Sequence, residues 1–79
     1  MSELRFEWDP EKAAENKRKH HVSFEEAETI FADDFAVLID DPEHSSEEDR
    51  FLLLGLSAKL RTLVVSHCHR KADEVIRII

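Results

Sequence analysis

The apolar residues of this chain recur at two different spacings, and the spacing predicts which element each segment forms. Phe6 and Trp8 alternate with charged neighbours, which predicts a short first strand over about residues 5–8. A later set recurs at the spacing of a helix face and comprises Phe24, Ala27, Ile30 and Phe31. The segment between them predicts another helix, which is only weakly amphipathic.

Both predicted helices begin at residues that favour a helix N-terminus. Asp9 precedes Pro10, and Asp caps a helix start while Pro suits the first helical position. We expect the first helix to run from there to about His20. Ser23, followed three residues later by Glu26, predicts a capping box at the start of the second helix.

Four segments that follow are typical of β-strands. They are residues 35–40, 50–56, 61–69 and 74–79. The second of them is apolar on both faces after Arg50, which indicates a central strand, and a polar hairpin loop precedes it. Short links predict an antiparallel meander. The expected fold is an α+β domain of order β-α-α-β-β-β-β, in which two N-terminal helices pack on one face of an antiparallel sheet.

Composition and charge narrow the possible classes of protein. The chain has 79 residues, which suffices for one small domain, and a single cysteine, so no disulfide can form within it. No apolar run approaches the ~20 residues of a membrane span, and the N-terminus lacks the layout of a signal peptide. We therefore expect a cytoplasmic protein. The net charge of -7 excludes a broad basic face, so any contact with nucleic acid must come from a local site.

The histidines and the cysteine do not follow a metal-binding pattern. His67 and Cys68 point to opposite faces of their predicted strand, so only His67 and His69 converge, and no CxxC or HxxxH spacing supports zinc. Cys68 is better placed for burial than for a catalytic Cys–His pair. Gly55 is the only glycine, so no Gly-rich phosphate loop is present. We expect neither a metal site nor a cofactor.

A run of five cationic or titratable residues, KRKHH, ends the first helix. Lys and Arg favour the negative end of the helix dipole, which accounts for residues 17–19 but not for His20 and His21. Glycine is the usual residue just beyond a helix end, because that position often has a positive φ. His21 therefore predicts a strained or differently closed helix end.

Two arginines, Arg50 and Arg77, interrupt apolar strands. An arginine in such a place either pairs with a carboxylate or points into a cleft, and the residues alone leave both alternatives open. If Trp8 lies nearby as a flat surface, the two guanidinium groups would form a small site for a phosphate and a base.

Several spaced motifs, taken in order, resemble the BrnT-type toxins over essentially the whole chain. In the N-terminal third the matching positions are Trp8-Asp9, Lys12, Asn16, Lys19-His20, Phe24, Glu26 and Ala27. Later positions that are similar to the family are 40–44, 49–51, 54–57 and 75–79.

BrnT-type proteins are toxins of type II toxin–antitoxin pairs. The resemblance implies a RelE-like fold, cleavage of RNA, and inhibition of translation and growth. It also implies a hetero-oligomer with a BrnA-type antitoxin, usually a ribbon-helix-helix protein, through which the complex binds its own promoter DNA.

The chain departs from this family at two places. Family members usually have glycine where this sequence has His21. The family also continues past Ile79 into a Ser-Ala-Arg segment and a C-terminal helix. We therefore expect residues 1–79 to form a single BrnT-type domain that lacks this helix, and activity could depend on the helix.

The resemblance and the residue chemistry together predict a metal-independent endoribonuclease, in which an RNA 2′-OH attacks the adjacent phosphorus. Arg50 and Arg77 are expected to clamp the phosphate, with Lys19 and His20 as phosphate-binding or acid–base groups. Further expected substrate contacts come from Trp8, Lys12 and Glu74.

Simpler interpretations stay open beside these roles. Trp8 would also suit the core, and Glu74 would also suit an ion pair with Arg77 or Lys71. For the whole chain, the alternative is a non-enzymatic acidic interaction module that binds a basic partner through residues 33–49. That segment has eight acidic residues and no Lys or Arg, although a solvated hairpin loop would explain it as well.

Overall fold

The computed structural model describes residues 4–41, 43, 49–70 and 74–79. The elements in these residues are strand β1 (Arg5–Glu7), helix α1 (Pro10–His20), helix α2 (Phe24–Glu28), a 3-10 helical turn (Thr29–Ala32), and strands β2 (Val37–Asp40), β3 (Arg50–Leu56), β4 (Thr62–Arg70) and β5 (Val75–Ile78). The predicted α+β class and order of elements are confirmed. Most of the predicted hairpin loop, at residues 42 and 44–48, lies outside the described residues.

Both helix starts form as the sequence predicts. The Asp9 carboxylate accepts a hydrogen bond from the backbone N–H of Glu11 at 2.9 Å, and the Ser23 hydroxyl accepts one from that of Glu26 at 3.0 Å. Only one of the two hydrogen bonds of the capping box forms, the one accepted by Ser23, because the Glu26 carboxylate binds other partners. Within the described part of the chain, no helix is long and apolar enough to cross a membrane.

Helix α1 ends in a left-handed residue, which corresponds to the strained of the two helix ends that the sequence leaves open. His21 has φ 59° and ψ 29°, and its backbone N–H donates to the Lys17 carbonyl at 2.9 Å. This conformation has a steric free-energy cost for a residue with a Cβ, and glycine is the residue that usually adopts it. Arg61 donates to the His21 carbonyl at 3.0 Å, so a contact from the sheet side supports the strained end.

The five strands form one sheet in the order β1-β5-β4-β3-β2. The antiparallel meander from β2 to β5 is confirmed. The prediction of a wholly antiparallel sheet is wrong, because β1 pairs in parallel with β5, with Arg5 opposite Val75. No hairpin links these two strands, so nothing local sets their relative direction, and the sheet is mixed.

The core lies on one face of the sheet. Its buried members are Phe24, Ala27, Ile30, Leu53, Val65, Ile76 and Ile78, with Phe6 and Trp8 packed at its border. The single glycine permits this packing, since a Cβ on Gly55 would lie 3.1 Å from the Ala36 Cβ and 3.2 Å from the Ile30 Cβ. The absence of a side chain thus lets β3 approach the 3-10 turn.

The face of the sheet away from α2, here called the second face, is only partly covered. Strand β3 is central in the sheet as predicted, yet Leu54 and Leu56 on this face are 37% and 45% exposed. Strand β2 begins later than expected, at Val37, and Phe35 before it is 91% exposed. The apolar pattern of β3 therefore does not reflect burial on both sides by the described residues.

Candidate active site

Arg50 and Arg77 lie in one row across the second face. The strand register places Arg50 opposite Cys68, and Cys68 opposite Arg77. Residues that are directly opposite each other project to the same face, and neighbouring strands are about 4.8 Å apart. The two arginines therefore flank Cys68 on one surface, with their backbones about 10 Å apart. Glu7, opposite Arg77 on β1, continues the row.

The arginine row contains one carboxylate that is already paired. Nη1 of Arg77 donates to Oε2 of Glu7 at 3.1 Å, and the two side chains are 33% and 40% exposed. An ion pair this exposed is weak, so a phosphate can compete for the guanidinium. Cys68 between the arginines is fully buried, as the sequence predicts.

Three other predicted site residues meet at a shallow depression of about 300 Å³ beside α1. Lys12, Lys19 and His20 line it, and so does Ile79 at the end of the last strand. The ammonium of Lys19 lies 2.6 Å from the Glu15 carboxylate. The hydrogen bond and the charge of Lys19 hold the pKa of Glu15 below its usual value.

The structure thus forms two groups from the predicted residues. Arg50 and Arg77 share the second face, whereas Lys19 and His20 belong to helix α1, on the other side of the sheet. Ile79, which lines the depression, is two residues beyond Arg77 in the sequence.

The remaining two predicted residues lie apart from the arginine row. Trp8 packs edge-on against Phe24, with ring centroids 5.8 Å apart and planes at 83°. This contact is on the core side, so the indole does not form a stacking surface between Arg50 and Arg77. Glu74 is exposed just before β5, and its backbone carbonyl accepts from the Arg5 N–H at 3.1 Å.

A buried polar cluster around Glu26 was not predicted from the sequence. Glu26 is 5% exposed, and its Oε2 accepts from Nε of Arg61 at 2.9 Å and from the Ser57 hydroxyl at 2.7 Å. Hydrogen bonds from Arg61 and Ser57 lower the pKa of Glu26 to about 2. Glu26 looked like a local capping residue, and no local pattern indicates partners 31 and 35 residues further on.

Two further predictions concern surfaces and metals. The acidic segment 33–49, which carried the interaction-module alternative, is described at residues 33–41, 43 and 49, and its remaining residues lie outside the described part of the chain. Among the residues that the structure does describe, no three His, Cys, Asp or Glu side chains are placed to hold a metal ion.

The fold and the site define a small α+β protein with a mixed five-stranded sheet and two arginines on one sheet face. A family model described as "Ribonuclease toxin, BrnT, of type II toxin-antitoxin system" matches residues 8–79. The chain therefore belongs to the BrnT family, as its motifs indicated, and membership of a type II system implies an antitoxin partner. A search of curated proteins finds no match to it.

Proposed function

We propose that this protein is a metal-independent endoribonuclease that cuts RNA on the second face of its sheet. The observation that carries the proposal is the row formed by Arg50, Cys68 and Arg77. Two guanidinium groups about 10 Å apart at the backbone can approach one phosphodiester from opposite sides. Their positive charges supply the stabilisation that a phosphoryl-transfer transition state needs.

The proposed reaction is an internal transfer. The 2′-oxygen forms a bond to the adjacent phosphorus, and the bond from phosphorus to the 5′-oxygen breaks. One protein group takes the 2′-OH proton, and another gives a proton to the leaving 5′-oxygen. Arg50 and Arg77 hold the non-bridging oxygens, on which negative charge increases.

The proton-transferring groups come from two places in this proposal. Lys19 and His20, with Lys12 beside them, can reach an RNA that extends past the end of β5. The geometry adds Glu7, whose carboxylate lies in the arginine row itself. Glu74, which is exposed just before β5, is proposed to contact a flanking part of the substrate, whereas Trp8 packs on the core side and is given no substrate role.

The biological setting follows from the family. We infer that residues 1–79 act as a single RelE-like toxin domain in the cytoplasm, where cutting RNA inhibits translation and growth. A BrnA-type ribbon-helix-helix antitoxin would neutralise it as a hetero-oligomer and carry the complex to promoter DNA.

The test is RNA cleavage in the presence of EDTA by the wild type, Arg50→Ala, Arg77→Ala and Arg18→Ala. Arg18 is an exposed arginine on α1 and provides a matched loss of charge. Each row variant should lose about 10²-fold or more in rate, and Arg18→Ala should stay near wild type. Equal losses in all three variants would point to general electrostatic attraction, and a folded wild type that does not cut RNA would favour the interaction module.

A further inference from the structure

Two more arginines, Arg5 and Arg70, lie on the second face beside the arginine row. The strand register places both of them opposite Val75, Arg70 from β4 and Arg5 from β1. Val75 is two residues before Arg77 on β5, so this second row projects to the same face as the first. Four arginines from four neighbouring strands therefore meet at one end of the second face. They are Arg5, Arg50, Arg70 and Arg77, here called the arginine cluster.

Each pair of arginines in the cluster flanks one buried residue. Cys68 in the first row is 0% exposed, and Val75 in the second row is 5% exposed. An arginine stem can cover an apolar neighbour while its guanidinium group stays in water. Arg5 and Arg70 are exposed residues, so a ligand that lies on this face can reach them.

The arginine cluster is a local concentration of positive charge in an acidic protein. The net charge of the chain is -7. Among the described residues of the two rows, the carboxylate of Glu7 is the one negative group, and it pairs with Arg77 at 3.1 Å. Such a patch attracts a polyanion to one end of the sheet only. The cluster therefore provides the local site that an acidic protein needs in order to bind nucleic acid.

The spacing of the two rows suits two successive phosphates of one strand. Positions two residues apart along a β-strand are separated by about 6.7 Å, and the second pair is displaced sideways by one strand, about 4.8 Å. The centres of the two pairs are therefore about 8 Å apart at the backbone. Arginine side chains are long and flexible, and this separation is comparable with that of neighbouring phosphates in an extended nucleic-acid strand. A guanidinium group also presents a fork of N–H donors that matches phosphate oxygens.

We propose that Arg5 and Arg70 form a second phosphate subsite, which binds the phosphodiester next to the one that is cut. Arg50 and Arg77 hold the scissile phosphate, and the RNA crosses this end of the sheet in an extended form. The ligand class is an RNA strand with at least two successive phosphodiesters. This inference rests on the proposed nuclease function for the assignment of the cut phosphate, whereas binding at the subsite needs no cleavage.

The first test measures binding without cleavage. A fluorescein-labelled 2′-deoxy octanucleotide, which has no 2′-OH to attack the phosphorus, is titrated with four proteins, and anisotropy gives Kd. The proteins are the wild type, Arg5→Ala, Arg70→Ala and the control Arg18→Ala. Each subsite variant should raise Kd about three- to tenfold at low salt, as expected for the loss of one exposed charge-assisted contact. Each should also reduce the slope of log K against log salt by about 0.7, the value for one phosphate of a single strand. Arg18→Ala removes the same charge from the exposed part of α1 and should stay near wild type in both measurements.

The second test places the subsite next to the cut. The substrates are 2′-deoxy strands with one ribonucleotide, which fixes the scissile bond, and each of the four bases is used at that position. The phosphodiester on one side or the other is left intact or replaced by a neutral methylphosphonate. On one of the two sides, the replacement should lower kcat/KM of the wild type about three- to tenfold. The same replacement should have little effect in Arg5→Ala and Arg70→Ala, because the contact that it removes is already lost.

Three results would overturn the proposal. Equal losses of affinity in Arg5→Ala, Arg70→Ala and Arg18→Ala would show diffuse attraction. A methylphosphonate effect as large in the two subsite variants as in the wild type would show that the neighbouring phosphate binds elsewhere. An oligoglutamate that binds as tightly as the oligonucleotide and depends on the same two arginines would assign the cluster to an acidic protein partner.

Failure of the subsite and failure of the nuclease proposal give different results. A wild type that binds the oligonucleotide through Arg5 and Arg70 but cuts no RNA would contradict the nuclease proposal alone. A wild type that cuts RNA, with binding and cleavage unchanged in Arg5→Ala and Arg70→Ala, would contradict the subsite alone.

Discussion

Arg61 and Glu26 are 35 residues apart in the sequence and form a paired, two-pronged contact. Nε of Arg61 donates to one carboxylate oxygen at 2.9 Å, and Nη2 donates to the other. The same Nη2 donates to the His21 carbonyl at 3.0 Å. One guanidinium thus joins the end of α1, the start of α2 and the start of β4, and the pair therefore helps to fix the position of both helices on the sheet.

This contact predicts that Glu26→Gln destabilises the protein in a pH-dependent way. The folded pKa of Glu26 is about 2, below its ordinary value of 4.5. A group whose pKa is lowered by folding contributes stability above the unfolded value and loses it as the pH falls toward the folded value. Urea unfolding should therefore show a clear loss for Glu26→Gln at pH 7 and a much smaller difference from wild type near pH 2. Glu25→Gln, at an exposed neighbouring position, is the control. An equal loss of unfolding free energy in Glu26→Gln at both pH values would contradict the prediction.

The left-handed end of α1 predicts that His21→Gly stabilises the chain. Glycine adopts φ 59° without the steric cost that a side chain brings, although it adds freedom to the unfolded chain. We expect a net gain of about 0.5–1 kcal/mol in the free energy of unfolding. His20→Gly, one residue earlier within the helix, should instead lose roughly 0.3–0.5 kcal/mol. Chemical denaturation of both variants measures the contrast, and a loss for His21→Gly would show that its side chain stabilises the helix end.

The pairing of Glu7 with Arg77 predicts opposite effects on binding and on catalysis. Glu7→Gln frees the Arg77 guanidinium, so an uncleavable 2′-deoxy oligonucleotide should bind about two- to fivefold more tightly, as expected for loss of a weak surface pair. If Glu7 takes the 2′-OH proton, cleavage of RNA should fall about 10²-fold or more at the same time. Glu11→Gln provides the control at an exposed site on α1. Tighter binding with unchanged cleavage would leave Lys19 or His20 as the base.

The local elements of this fold could be predicted from the sequence because their signals are local. Asp9 and Ser23 set the helix starts, and the apolar segment at 50–56 matched β3 at both ends. The parallel pairing of β1 with β5 could not be predicted, because it joins the two ends of the chain. The tightening into a 3-10 turn at Thr29 also depends on tertiary contacts, since its hydroxyl accepts from the Ala58 N–H at 2.8 Å.

The candidate site could be predicted only in part, for a similar reason. Arg50 and Arg77 were conspicuous as charges in apolar strands, but their common row depends on a register that composition does not encode. The strand alternation placed His67 and His69 on one face, yet it did not show that the His67 imidazole would be fully buried, with a nitrogen that has no hydrogen-bond partner among the described residues. Chemistry that arises from pairs of distant residues appears only once the sheet is assembled.

The buried His67 predicts that the protein weakens in mild acid. Burial lowers the pKa of His67 in the folded protein below its ordinary value of 6.5. Below that pH the unfolded chain therefore binds a proton at His67 more readily than the folded chain does. Stability is therefore full above about pH 6.5 and falls as the pH drops below it, with a slope of at most about 1.4 kcal/mol per pH unit from this one group. His67→Phe should flatten the decline between pH 7 and pH 5 in urea unfolding, because phenylalanine keeps the ring packing and binds no proton. His20→Phe should retain the decline, and an equally steep decline in His67→Phe would show that other groups cause it.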